Sequence, residues 1–267
     1  MKFGCVATVA DYPLLYEAGF DYAELSGRFV CAMEPAAFRE LSRMIASSGL
    51  PCLGFNAYCP KEIRIAGPGF SINAARDYAK RCLERAAALD VKLVGIGSPM
   101  SRHLPGGFSK SVALGQAQAF FAATAEVFAE NGTVVCVEAL GPCYCNFINT
   151  LSEAREIVRA VNMQNLKLVA DFYNMEHSGE ADIPLSPFAN DIAHAHISDD
   201  AGTPQMRWFL KMEKRALHTE RLKRLYAAGY SGAVTLEIDL PAELGQARQS
   251  LGLLRDSAAQ HMALKRT

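Results

Sequence analysis

TVVCVEALGPCYCNFINTLSEAREIVRAVNMQNLKLVAD, residues 133–171, is the stretch from which the fold is read. It starts with a short apolar, β-branched run, TVVCVEA (133–139), that lacks the alternation of a half-wet strand. Such a run is a strand covered on both faces. A helix follows over 150–161. Thr150 opens it with Glu153 three residues on, so that a hydroxyl and a carboxylate each take up a free N–H of the first turn. NLKLVAD (165–171) is a second covered strand. Strand, helix and strand in this order make the parallel crossover unit.

The same unit recurs in both directions. Toward the N-terminus the strands are KFGCVATV (2–9), DYAELS (21–26), PCLGFNA (51–57) and KLVGIG (92–97). Helical patterns fill 14–18, 34–48, 71–89 and 109–131, with Gly19, Gly49 and Gly132 as stops. Toward the C-terminus come IAHAHIS (192–198) and GAVTLEI (232–238), with helices over 218–228 and 242–261. Eight strands alternating with helices, and no Gly-rich phosphate fingerprint, predict an α/β fold of the closed (β/α)8 TIM barrel type. This is preferred to a doubly wound open sheet. The barrel is expected to span 1–267 as one domain. The long loops 57–70, 98–108, 140–149 and 198–216 all follow strands, so they gather on the C-terminal face, where barrel active sites lie.

Composition narrows the function classes. Half of the 267 residues are hydrophobic and 21% are charged, as in a soluble globular protein with a large core. A net charge of −1 offers no basic face to nucleic acid. Eight cysteines, several inside apolar runs and none in a CxxC pair, read as small core residues. No apolar run reaches the ~18–20 residues of a membrane span, and the first residues lack a secretory h-region. The expectation is a cytoplasmic protein without nucleic-acid or membrane partners.

The residues that carry chemistry are polar groups at the ends of buried strands. Burying an unpaired ion costs several kcal/mol, on the order of the penalty for breaking a buried ion pair, so an acid persists there only with a partner. Strand five ends in Glu138, strand six in Asp171 and strand eight in Glu237, while strand seven carries His194 and His196. In a barrel these ends are adjacent. Three carboxylates and one imidazole form an oxygen-rich site suited to Mn²⁺, Mg²⁺ or Co²⁺, with Zn²⁺ also compatible. Taken singly, each acid could cap the next helix; four in succession point to one metal. His194 and His196 lie on one side of their strand, so either can be the ligand, with the other supporting it. Glu24, closing strand two, either reaches this pocket or pairs locally. Asn56, Arg102 and His103 sit in loops of the same face and are candidates to touch substrate, as is His177 after strand six.

These residues resemble a known family. ELSGR (24–28), FNAYCPKEIRIAGP (55–68), VVCVEAL (134–140), CNFINT (145–150), LVADFYNME (168–176), HAHISD (194–199) and GYSGAVTLEI (229–238) carry the likeness over nearly the whole chain. The chain resembles the sugar phosphate isomerase/epimerase branch of the xylose isomerase-like barrel superfamily, with hydroxypyruvate isomerase, ketose 3-epimerases and inosose dehydratase. The resemblance implies that Glu138, Asp171, His196 and Glu237 bind one divalent metal, Mn²⁺ first, and that Glu138 and Glu237 move protons. His196 is chosen because it matches the second histidine of the family's HxH pattern.

The outer residues depart from that pattern. Asn174 stands where the family often has histidine, Tyr144 where it has glutamate and Gly202 where it has arginine. Arg207 and His177 are the nominated replacements. The expected substrate contacts are therefore Asn174, His177, Arg207, Asn56 and His103. The expected activity is isomerisation or epimerisation of a small sugar, polyol-derived ketone or keto acid through an enediolate. Elimination from an inosose or a 3-keto-glycoside uses the same scaffold, and a non-catalytic sugar-binding barrel is the third reading. A nuclease like the superfamily's DNA-repair branch is disfavoured by six histidines and the charge balance. A homo-oligomer fits the resemblance.

Overall fold

The computed structural model describes residues 1–239 and 241–264; Leu240 and 265–267, within the span expected for the domain, lie outside the described residues. Eight parallel strands close into a barrel: β1 (Lys2–Ala7), β2 (Tyr22–Ser26), β3 (Cys52–Asn56), β4 (Leu93–Ile96), β5 (Val134–Glu138), β6 (Leu166–Asp171), β7 (Ile192–Ile197) and β10 (Ala233–Leu236). They neighbour one another in that order, and β10 returns to β1 with Lys2 opposite Ala233. Every expected strand is present, trimmed at its ends; Glu237 falls one residue past β10. Two further strands, β8 (Asp199–Asp200) and β9 (Arg207–Trp208), form an antiparallel hairpin after β7. The sequence predicts only a loop over 198–216, because two-residue strands carry no periodicity.

The helices are α1 (Tyr12–Ala18), α2 (Gly27–Ala32), α3 (Pro35–Ser48), α4 (Ile72–Ala88), α5 (Pro99–Arg102), α6 (Lys110–Ala129), α7 (Leu151–Val161), α8 (Phe172–His177), α9 (Arg215–Ala227) and α10 (Leu244–Leu264). The short α2 and α5 were not expected. The longer helices start where hydroxyl caps allow: Ser71 accepts from Ala74 N–H, Ser109 from Val112 N–H, and Thr150 with Glu153 forms the reciprocal pair. α6 is long and apolar enough to cross a bilayer by length and composition alone. Its Phe120, Phe121 and Phe128 are instead buried, and the helix packs on α4, α7 and β5.

Two local features shape the site. Only the six-residue α8 and a 3₁₀ turn (Ser186–Phe188) follow β6, so the sixth unit lacks a full helix and α8 stays tied to the rim. Asp171 ties it, accepting from Tyr173 N–H at 2.8 Å and Asn174 N–H at 3.1 Å. At the opposite wall, a Cβ on Gly4 would lie 2.1 Å from the Tyr22 ring. Glycine there admits the Tyr22 side chain to the barrel interior.

Candidate metal centre

The barrel mouth is built in two polar tiers. In the upper tier, Glu138, Asp171, His196 and Glu237 each offer a ligand atom, all within 4.8 Å of one another. His196 Nδ1 is the hub, at 3.1 Å from Glu237 Oε2, 3.5 Å from Glu138 Oε1 and 3.9 Å from Asp171 Oδ2. The neighbouring ends of β5, β6, β7 and β10 bring them together. Gly97, just past β4, leaves the space that Glu138 needs: a Cβ there would lie 2.5 Å from Glu138 Oε2.

The lower tier holds the hub in place. Glu24 is fully buried and faces both histidines, Oε1 at 2.6 Å from His194 Nε2 and Oε2 at 3.3 Å from His196 Nε2. Thr235 Oγ1 donates to Glu24 Oε1 and lies 2.8 Å from the Tyr22 hydroxyl. Glu24 thus reaches the pocket, the reading left open from sequence, but through the histidines. With Nε2 committed to Glu24, His196 turns Nδ1 toward three carboxylates. That Nδ1, wholly buried, makes no well-aligned hydrogen bond among the described residues, its nearest contact being the ion-pair approach to Glu237. A buried ring nitrogen aimed at converging carboxylate oxygens fits a cation of the hard to borderline class. His194 Nδ1 also lacks a partner, but its Nε2 faces Glu24 and Thr235, away from the upper tier.

The charges explain how the cluster persists. Burial, together with Glu237 and Asp171, pushes the Glu138 carboxyl up to about 7 against the restraint of His196. Burial also disfavours the Asp171 carboxylate, yet Arg207 and His196 outweigh it and hold Asp171 well below its usual range. For His196, burial favours the neutral ring, but Glu237 and Glu24 outweigh it and keep the proton on well above 6.5. A cation must therefore displace protons from Glu138 and His196. Metal affinity is expected to climb as pH rises through about 7 and to fall on acidification. Calorimetric titration in buffers of different ionisation heat should find about one to two protons released per cation near neutral pH. Release of none would contradict this ionisation scheme.

Two cavities open above the cluster. One of about 180 Å³ is lined by Glu138, Glu237, Arg207, Tyr144 and Leu140. A larger one of about 360 Å³ lies over the ends of β1, β2, β3 and β10. Both are lined by Ala57, and Ser98 lines the smaller. These two residues hold left-handed backbone, φ 41° and 45°, where the chain turns off β3 and β4. Non-glycine residues adopt this conformation at a cost, and it concentrates at working sites.

The structure sorts the expected substrate residues. Arg207 is brought in by the hairpin: it is buried, 2.8 Å from Asp171 Oδ2 and 2.9 Å from Glu237 Oε2. Its backbone is pinned to Asp239 in both directions, and its guanidinium donates to Ser198 Oγ and lies over the Tyr173 ring at 4.9 Å. Asn174 donates to Asp171 Oδ2 at 2.9 Å and Glu138 Oε1 at 3.2 Å, and its own Oδ1 accepts from Gly141 N–H. It steadies the carboxylates. Asn56 lines the larger cavity. His177 lies outside both cavities, its ring edge on Tyr173 at 4.6 Å, because α8 turns it past the rim. His103 is also not brought to the site. It is exposed, and its carbonyl accepts from Arg64. Arg102 is buried outside both cavities.

Tyr22, Thr235, Ser198 and Asp239 were missed in the sequence. For two of them a clue existed: Thr235, Glu237 and Asp239 alternate by two, the spacing of one strand face.

The model of the xylose isomerase-like TIM barrel family matches residues 13–257. No curated protein matches the sequence. Among solved structures, the apo 3-keto-D-glucoside 4-epimerase YcjR from E. coli is 23% identical with a TM-score of 0.74, over 96% of this chain and 99% of that one. The D-psicose 3-epimerase of Clostridium cellulolyticum H10, solved with D-tagatose, is 18% identical with a TM-score of 0.73, over 100% and 98%. An IolI protein with a bound zinc atom is 18% identical with a TM-score of 0.69, over 97% of each chain. At these identities the likeness is one of fold.

Proposed function

The chain belongs to the xylose isomerase-like TIM barrel family, and from that premise we propose that it is a divalent-metal-dependent isomerase or epimerase of a small sugar or keto-sugar. The observation that carries the reading is His196 Nδ1, buried where the carboxylates of Glu138, Asp171 and Glu237 converge. These four residues are the metal ligands. The cellular setting is the cytoplasm, consistent with eight free cysteines, six of them buried.

The chemistry follows from the side chains. When bound, the cation supplies Lewis acidity toward the substrate's carbonyl and adjacent hydroxyl oxygens. Glu138 and Glu237 both line the smaller cavity and are the proton carriers. A carboxylate oxygen of one takes the proton from the carbon beside the carbonyl. Return of a proton to the opposite face of that carbon gives an epimer; return to the neighbouring carbon gives an isomer. With a cation bound, the Glu138 carboxyl would be ionised, the form that takes a proton. Asn174 Nδ2 holds Glu138 Oε1, which fixes the direction of that carboxyl. Arg207 orients a substrate oxygen from the wall of the same cavity.

One observation favours elimination as a second reading. Glu237 lines both cavities, so a carboxyl group stands between the reacting sugar and the space a departing substituent would occupy.

Deuterium incorporation tests the proposal. The metal-stripped protein is reloaded with Mn²⁺, Mg²⁺, Co²⁺ or Zn²⁺ and incubated in D₂O with ketoses, inososes and 3-keto-glycosides. Metal-dependent uptake at the carbon beside the carbonyl is expected, and the product separates epimerase, isomerase and lyase. Metal bound with no uptake across the panel would sink the enzymatic reading.

A further inference from the structure

We propose that the larger cavity is a subsite for an apolar, ring-bearing substituent, so that the substrate is a sugar joined to an aromatic aglycone. The inference rests on the function proposed above and names its substrate class. The two cavities share Arg28, Ala57, Glu237 and Asp239, so they adjoin, with Glu237 in the wall of both. Their linings differ. The smaller carries the carboxylates and Arg207, the chemistry of a polyol. The larger sets the apolar side chains of Val9, Phe29, Met33 and Ile238 beside the charged Asp11 and the shared Arg28, Glu237 and Asp239.

Size and exposure agree with this division. Cavities that hold drug-sized ligands run about 300–1,000 Å³. The 180 Å³ cavity falls below that range, whereas the 360 Å³ cavity falls within it. Phe29 is 63% exposed at the mouth, with the Arg28 guanidinium 5.0 Å from its ring centre. An aromatic ring held at a cleft edge with this exposure is a platform for another ring. One polar group in the larger cavity independently calls for a ligand. Asn56 is only 5% exposed, and its Oδ1 has no hydrogen-bond partner among the described residues. A buried acceptor left unbonded is costly. Asn56 adjoins Ala57 of the shared wall, where a sugar hydroxyl beside the glycosidic bond would donate to it.

Unreactive glycosides separate this inference from catalysis. Phenyl and methyl glucoside, which lack a keto group, are titrated into the metal-loaded protein. Phenyl glucoside is expected to bind about tenfold or more tightly than methyl glucoside, from ring burial and stacking. Phe29→Ala, an exposed position that carries little folding risk, should bring the ratio of the two affinities toward one. Val9→Asp, which charges the mouth, should do the same. Equal affinity of the two glycosides for the unaltered protein overturns the subsite, as does binding of neither, or a ratio unmoved by both substitutions. A phenyl preference in a protein that exchanges no deuterium would keep the subsite and remove the isomerase reading. Exchange into free ketoses with no phenyl preference would do the reverse.

Discussion

Glu237→Gln is expected to lower turnover by about 10²–10⁴-fold while leaving the fold intact, the range set by loss of a positioned acid/base group. Glutamine keeps the size of the side chain and one oxygen, but it cannot carry a proton between carbons and has lost its charge. The substitution also removes one of the four converging side chains proposed to hold the metal and one of the two carboxylates that Arg207 bridges. Metal binding should therefore weaken as well, and turnover must be compared at metal saturation. Saturation of the variant with cation, followed by kcat and deuterium uptake, separates the two losses. If uptake survives while product formation stops, Glu237 returns the proton and Glu138 removes it. A metal-replete Glu237→Gln protein with full turnover would take this residue out of the mechanism.

The second large effect is expected one tier lower, at a residue that touches no substrate. Glu24→Gln should reduce affinity for a divalent cation by about 10–100-fold, as loss of a partner behind a metal-binding histidine does. The carboxylate accepts at both oxygens, so each histidine can present Nε2–H to it. An amide has one accepting oxygen and one donating nitrogen. Thr235 donates at the Oε1 position, which keeps the amide oxygen there and turns the NH₂ group toward His196. His196 must then accept at Nε2 and carry its proton on Nδ1, the atom that faces the carboxylates. Competition with a chelator reads the affinity, and Asp in place of Glu24 should restore part of it. Unchanged affinity in a folded Glu24→Gln protein would mean that tautomer control lies elsewhere.

Much of the centre was legible in the sequence for one physical reason. Strands covered on both faces read as unbroken apolar runs, and an acid at the end of such a run stands out. Glu138, Asp171 and Glu237 were visible in this way, and the family pattern distinguished His196 from His194. Arg207 was nominated from the correct loop, but the hairpin that delivers it was not foreseen, because β8 and β9 are two residues each. Glu24, Thr235 and Tyr22 form a chain across the barrel between positions more than 200 residues apart. Such contacts exist only once the barrel closes. His103 and His177 show the opposite failure. Their loops were placed on the right face, but loop position does not fix where a side chain points. Asn174, one turn earlier on α8 than His177, takes the inward place.

The crowding of carboxylates around His196 bears on the stability of the fold as well as on the proposed chemistry. A cation that binds this cluster binds only the folded chain, because the ligands come from four strands spread over a hundred residues of sequence. By mass action, each tenfold rise of free cation above its dissociation constant adds about 1.4 kcal/mol to the folded state. That is a large share of the roughly 5–15 kcal/mol by which domains hold together. If the cluster holds its cation as proposed, metal starvation would leave the polypeptide open to proteases for more of the time, and its abundance would fall with metal supply.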